Sequence, residues 1–150
     1  MKKILFVCLG NICRSPMAEA ILKHKVMQRH DRHEFHIESA GTGDWHIGHA
    51  PDERTLKTLL EQNCVFEGKQ AQQVQMHHFD FFDLILAMDR KNYLDLKNLS
   101  PIHQSKVHLF LDYVGHDLKE VPDPYYQDTR AFQSVYRLLD EAIEKLLGTL

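Results

Sequence analysis

Cysteine is scarce: Cys8, Cys13 and Cys64 are the three in 150 residues. An odd number without a secretory signal builds no disulfide framework, so reduced thiols are expected. Positive charge is not in excess either. A formal net charge of -3 offers no global attraction to phosphate backbones or anionic lipid, which argues against a nucleic-acid or membrane-surface partner. Long hydrophobic runs are also missing. The apolar run that follows Met1-Lys2-Lys3 stops at Gly10, too short for a signal-peptide core or a membrane span, so a cytoplasmic protein is expected. The chain lacks repeats, low-complexity tracts and linkers. It has eleven histidines, but His30, His33, His36, His46 and His49 have no Cys or carboxylate companions at a metal-ligand spacing, so no metal and no cofactor is expected.

What remains is an ordinary globular composition, 43% hydrophobic and 26% charged, at a length that suits one domain, residues 1–150. Lys3 to Val7 reads as a strand buried on both faces. Pro16 opens a helix on which Ala18, Ile21, Leu22 and Val26 fall at helical spacing, fading near His30. Phe35 to Ala40 is a second strand, ended by Gly41-Thr42-Gly43. Asp52 to Gln62 is a helix with Leu56, Leu59 and Leu60 on one face. Asp83 to Met88 is a third strand, followed by a polar helix from about Asp89, and Lys106 to Leu111 is a fourth. Thr129 to Leu147 is the longest helix, its apolar residues recurring at three and four. Strands alternating with helices predict an α/β fold: a doubly wound, three-layer α/β/α sandwich around a four-stranded parallel sheet. Ligands of such sheets sit beyond the carboxyl ends of the strands, at the switch point. The loop after Val7, the Ser39 to Thr42 segment and the Met88-Asp89 junction would all emerge there.

The first of these loops carries chemistry. In Cys8-Leu9-Gly10-Asn11-Ile12-Cys13-Arg14-Ser15, the backbone between Cys8 and Arg14 can curl once with its N–H groups inward, forming an anion nest backed by the positive end of the next helix. The same field favours a thiolate at Cys8. Ser15 can donate to that sulfur, and Gly10 permits a positive φ where the curl needs one. Arg14 presents a planar fork to the oxygens of a phosphoryl group. Such a set suits attack by sulfur on phosphorus through a covalent cysteinyl phosphate. Expelling the leaving group then requires an acid. Asp123, between Pro122 and Pro124 and beside Tyr125 and Tyr126, is the candidate, with an ordinary Asp-Pro turn as the alternative.

Taken together, "VCLGNICRSP", "SAGT", "ILAMD" and "DPYY" resemble, in order and separation along essentially the whole chain, the low-molecular-weight protein tyrosine phosphatases. The resemblance implies a phosphate-binding loop between the first strand and first helix, with Cys8 as nucleophile. Arg14 would bind phosphate, Ser15 would support the thiolate, and Asp123 would be acid and then base. It implies that Asn11 and Ser39 hold the loop by hydrogen bonds, and that Leu9, Ile12, Trp45, Tyr125 and Tyr126 wall a deep slot for an aromatic phosphoester. Partly exposed packing is the plainer reading of Trp45 and the two tyrosines. Cys13 matches a loop cysteine that can close a reversible disulfide with the nucleophile, whereas Cys64 reads as a buried small hydrophobe. The implied partners are a tyrosine-phosphorylated protein and the tyrosine kinase that makes it, with the chain a monomer or weak homodimer.

The chain departs from the family where Lys69 and Gln72 stand in place of a usual His and Arg, which changes the support behind the loop. Two neighbouring activities compete. Thiol-dependent arsenate reduction needs a close cysteine pair away from the loop, and only Cys64 is available. A phosphoarginine phosphatase typically has Thr where Ile12 stands and lacks the paired tyrosines. A binding module without turnover would lack the nucleophile, the arginine or the acid, whereas Cys8, Arg14 and Asp123 are all present.

Overall fold

Buried on both faces, Lys2–Cys8 (β1) is the central strand of the fold, described here for residues 1–150 by a computed structural model. Successive side chains of a strand point to opposite faces. Ile4, Phe6 and Cys8 therefore enter one apolar cluster and Leu5 and Val7 the other. Each fully buried large side chain of this kind contributes roughly 1.5–3 kcal/mol.

After β1 come α1 (Arg14–Val26), β2 (Phe35–Gly41), α2 (Glu53–Glu61), α3 (Met76–Phe81), β3 (Leu84–Ala87), α4 (Arg90–Leu99), β4 (Val107–Leu109), α5 (Phe110–Tyr113) and α6 (Thr129–Leu147). The sheet is wholly parallel, in the order β2-β1-β3-β4. Helices α1, α2 and α6 cover the face that receives Ile4, Phe6 and Cys8; α3 and α4 cover the other. The expected three-layer sandwich is thus present, and its switch point falls between β1 and β3. No helix is long and apolar enough to cross a membrane.

Three capping aspartates start helices where the site needs them. Asp52, Asp89 and Asp128 accept from the backbone N–H of Arg54, Asn92 and Ala131 at 2.8, 2.8 and 3.2 Å, each cap contributing about 1 kcal/mol. Pro16 lies in the first turn of α1, where its missing N–H costs no intrahelical bond.

The structure corrects four local expectations. Helix α1 begins at Arg14, ahead of Pro16, because the loop itself winds into the helix. The fourth strand pairs with β3 only over Val107–Leu109; Phe110 and Leu111 turn into α5, which sends both side chains into the core, the Phe110 ring 5.4 Å from that of Phe6. On α2 the buried residues are Thr55, Thr58 and Leu59, whereas Leu56 and Leu60 are exposed. Arg54 of the same helix rests on the Phe132 ring. Helix α3, unanticipated in the sequence, covers the second face with Phe79.

Candidate active site

The loop from Cys8 to Arg14 is shaped by where its carbonyls go. Those of Cys8 and Leu9 accept from the N–H of Thr42 and Gly43, both at 2.9 Å, and that of Ile12 from the N–H of Asp52 at 2.9 Å. With these carbonyls held outward, the N–H groups that share their peptide planes, those of Leu9, Gly10 and Cys13, are turned away from any protein acceptor, as an anion nest requires. Gly41 makes this approach possible. A Cβ there would lie 2.7 Å from the Leu9 carbonyl oxygen.

The positive φ that the curl needs is carried by Asn11, at 57°, and not by Gly10 as expected. Gly10 serves a different need: a Cβ there would stand 3.0 Å from the His46 ring. A left-handed residue other than glycine costs about 1–2 kcal/mol, and the side chain of Asn11 offsets that cost by using all of its amide. The backbone N–H of Gln72 donates to Asn11 Oδ1 at 3.0 Å. A backbone N–H can only donate, so the carbonyl end of the amide must face Gln72 and the Nδ2 end must face the serines. Asn11 Nδ2 donates to Ser15 Oγ at 2.8 Å and Ser39 Oγ at 2.9 Å. Ser39 passes its proton on to Glu19 at 2.5 Å. Ser15 has its own proton free for the Cys8 sulfur at 3.0 Å, nearer than the alternative Ala40 carbonyl at 3.4 Å. The N–H of Asn11 also points at that sulfur, at 3.3 Å. The Gln72 N–H thus directs the Ser15 proton to Cys8, whose sulfur also accepts from the Asn11 N–H.

Arg14 is almost fully buried. Its Nη1 donates to Asp89 at 2.7 Å and to the Val121 carbonyl at 2.9 Å, and its Nη2 lies 3.7 Å from Asp123 Oδ2. Burial opposes the charge, but Cys8, Asp89 and Asp123 outweigh it, and the guanidinium pKa rises above its ordinary value. Cys13 differs from its neighbour. Burial first, then the charges of Asp52 and Cys8, pushes its thiol up to about 12. Cys64, buried near α1 and donating to the Ala20 carbonyl, is pushed up to about 11 mainly by burial.

Asp123 approaches from the segment between α5 and α6, where its Oδ1 accepts from the N–H of Tyr125 at 3.1 Å. The structure therefore gathers Cys8, Leu9, Gly10, Ile12, Cys13, Arg14, Trp45, Asp123, Tyr125 and Tyr126 around one cleft of about 400 Å³. Asn11, Ser15 and Ser39 lie behind it as the loop's supports. The slot is walled less evenly than expected. Tyr125 is half-buried, but Trp45 is 65% and Tyr126 90% exposed, so these two stand at the rim. Trp45 is seated over Gly43, where a Cβ would meet its ring.

Sequence reasoning missed three residues. Asp89 holds Arg14 with one oxygen while capping α4 with the other; its place after the third strand was the available sign. His46 lines the cleft directly after Trp45. Arg54 ties α2 to the Tyr125 segment, and nothing local in the sequence points to it. The departures from the family pattern now have contacts. Lys69 pairs with Glu38 at 3.0 Å, and Gln72 donates to Glu38 at 3.2 Å and to the Ser39 carbonyl at 3.0 Å. Burial alone would raise the carboxyl of Glu38, but His36, Lys69 and Gln72 together lower it to about 2.

A family model described as low molecular weight phosphotyrosine protein phosphatase matches residues 3–150. The chain is 42% identical over 152 residues to the low molecular weight protein-tyrosine-phosphatase YfkJ of Bacillus subtilis, covering 100% of this chain and 96% of that protein. The crystal structure of YfkJ matches with a TM-score of 0.93, over 99% of this chain and 94% of that one. PtpA of Staphylococcus aureus, another low molecular weight protein-tyrosine-phosphatase, is 37% identical over 147 residues, 98% of this chain and 92% of its own. A crystal structure of protein tyrosine phosphatase from Entamoeba histolytica with Hepes in the active site is 36% identical, with a TM-score of 0.93 over 100% of both chains.

Proposed function

The chain belongs to the low molecular weight protein-tyrosine-phosphatase family and is a hydrolase of that kind, and we propose that it hydrolyses phosphotyrosine in proteins, and small aryl phosphates, through a phosphocysteine on Cys8. Residues 1–150 form the one phosphatase domain in this reading. The phosphoryl group occupies the nest, with Arg14 and the free loop N–H groups on its oxygens. The Cys8 sulfur attacks phosphorus as the P–O bond to the phenol breaks, and Asp123 gives its proton to the departing oxygen. The carboxylate of Asp123 then takes a proton from water, whose oxygen attacks the phosphocysteine and releases inorganic phosphate and the thiolate. The reaction needs no cofactor in this reading.

One observation carries the proposal: Cys8, Arg14 and Asp123, drawn from both ends of the sequence, share an aromatic-walled cleft. Tyr125 and Ile12 in that wall favour a flat phenol over the longer, charged side chain of phosphoarginine. The substrate is the product of a tyrosine kinase, and the three free thiols suit a reducing compartment such as the cytoplasm. A reversible Cys8–Cys13 disulfide, formed when a peroxide takes two electrons from the pair, also belongs to this reading, since both line the cleft. The exposed Trp45 and Tyr126 support a monomer capable of weak self-association.

Hydrolysis of p-nitrophenyl phosphate and of a phosphotyrosine peptide, in chelator, tests the reaction. Wild type should turn over both, and Cys8→Ser should bind the peptide without turnover. Asp123→Ala should lose about 10²- to 10⁴-fold on esters of poor leaving groups and less on activated ones. Turnover by Cys8→Ser equal to wild type would end the covalent mechanism; preference for phosphoarginine peptide would end the substrate assignment.

A further inference from the structure

Arg54 makes more contacts to the cleft's surroundings than any role in helix α2 requires. Its fork grips Asp52, with Nε on Oδ1 and Nη2 on Oδ2, both at 3.0 Å. The same guanidinium donates to the carbonyl oxygens of Tyr125 at 3.0 Å and Gln127 at 3.1 Å. Beneath, it lies 4.4 Å from the centroid of the Phe132 ring, and 5.6 Å from that of Tyr125. Phe132 is wholly buried on α6 and supplies a fixed floor. Asp52 completes the connection, because its own N–H donates to the Ile12 carbonyl of the phosphate loop.

We propose that Arg54 is the positioning residue for the general acid, a clamp that fixes the segment carrying Asp123 against the loop carrying Cys8. The proposal rests on the assignment of Asp123 as the acid. Asp123 itself has few restraints. Its carboxylate is bonded to the N–H of Tyr125 and stands 3.7 Å from Arg14, and it is 41% exposed. The segment after it has no strand or helix until Thr129. Upstream of the acid, Val121 is pinned by its N–H to the Met88 carbonyl at 2.8 Å and by its carbonyl to Arg14 at 2.9 Å; downstream, Tyr125 is fixed at its carbonyl by Arg54 and at its N–H by Asp123, so Arg54 supplies the hold on the acid from that side. Displacement of an acid by an ångström removes its proton-transfer advantage while leaving nucleophilic attack intact.

This division gives a distinctive test. Values of kcat/KM for Arg54→Lys and Arg54→Gln are measured on aryl phosphates running from phenyl phosphate to 2,4-dinitrophenyl phosphate, beside Asp123→Ala and the double variant. Lysine retains charge but has neither the fork nor the flat face. Both Arg54 variants should lose about 10-fold or more on phenyl phosphate and under about 2-fold on the dinitrophenyl ester, since an acid matters only where the leaving group needs a proton. In the Asp123→Ala background, either Arg54 substitution should add little. Asp52→Asn, which keeps the cap but weakens the fork, provides a second route and should shift the leaving-group dependence in the same direction. Thermal melting checks that each variant is folded. An equal loss on every ester, or losses that multiply in the double variant, would overturn the clamp. Absence of any leaving-group dependence in Asp123→Ala alone would instead overturn the acid assignment.

Discussion

Asn11 shows how one side chain can settle the chemistry of a site. Its left-handed backbone carries a conformational cost, and its amide meets three partners that both hold that conformation and direct the Ser15 proton to sulfur. The two contributions can be separated. Asn11→Ala loses the amide and keeps the strain, whereas Asn11→Gly loses the amide and relieves the strain. Urea unfolding should place the glycine variant above the alanine variant by about 1 kcal/mol. Both should lose most of their activity, because neither sets the Ser15 proton. Equal stability of the two variants would show that the backbone at Asn11 is unstrained.

At the scale of elements, the site depends on how closely the end of β2 approaches the loop after β1. Gly41 pairs with Cys8 across the sheet, donates to the Gln72 carbonyl and accepts from Val74. Its missing Cβ leaves room for the Leu9 carbonyl, and that neighbour is backbone and cannot rotate away. Gly41→Ala should therefore separate β2 from the loop. The expected outcome is a loss of about 1–3 kcal/mol of stability, as for overpacking in a core, with a larger KM for aryl phosphates. A variant with unaltered melting and kinetics would show that the loop tolerates displacement. The same scale accounts for Lys69 and Gln72. They rebuild the support behind the loop around the Glu38 carboxylate, with Gln72 also contributing backbone bonds to Asn11 and Gly41.

For the whole molecule, that carboxylate links stability to pH. Glu38 is lowered from 4.5 to about 2 in the folded chain. In that window the unfolded chain binds the extra proton, so stability conferred by Glu38 is complete above pH 4.5 and is lost as pH falls towards 2. The difference in unfolding free energy between wild type and Glu38→Gln should narrow steadily across that interval. A constant difference would mean that the His36, Lys69 and Gln72 contacts do not favour the charged form.

Some of this was legible in one dimension. β1 declared itself by an unbroken apolar run, and the loop after it by Cys8, Arg14, Ser15 and Pro16 in sequence, because a strand-turn-helix unit depends on neighbours in the chain. The parallel sheet followed from alternation, and the long apolar period of α6 fixed its buried face. Other features depended on contacts between segments that the sequence keeps apart. The positive φ fell on Asn11 because Gln72, Ser15 and Ser39 converge on its amide, whereas glycine offers no such partners. Phe110 left the fourth strand for a helix because the Phe6 face of the core accepted its ring. Asp89 gained its hold on Arg14, and Arg54 its hold on the Tyr125 segment, only through contacts between residues far apart in the chain. The order of the elements and the local chemistry of the loop were set within short stretches of chain, since propensity, capping and periodicity act over a few residues. Which distant donors and charges surround that loop was set by packing, since hydrogen bonds and ion pairs form wherever folding brings their partners within about 3 Å.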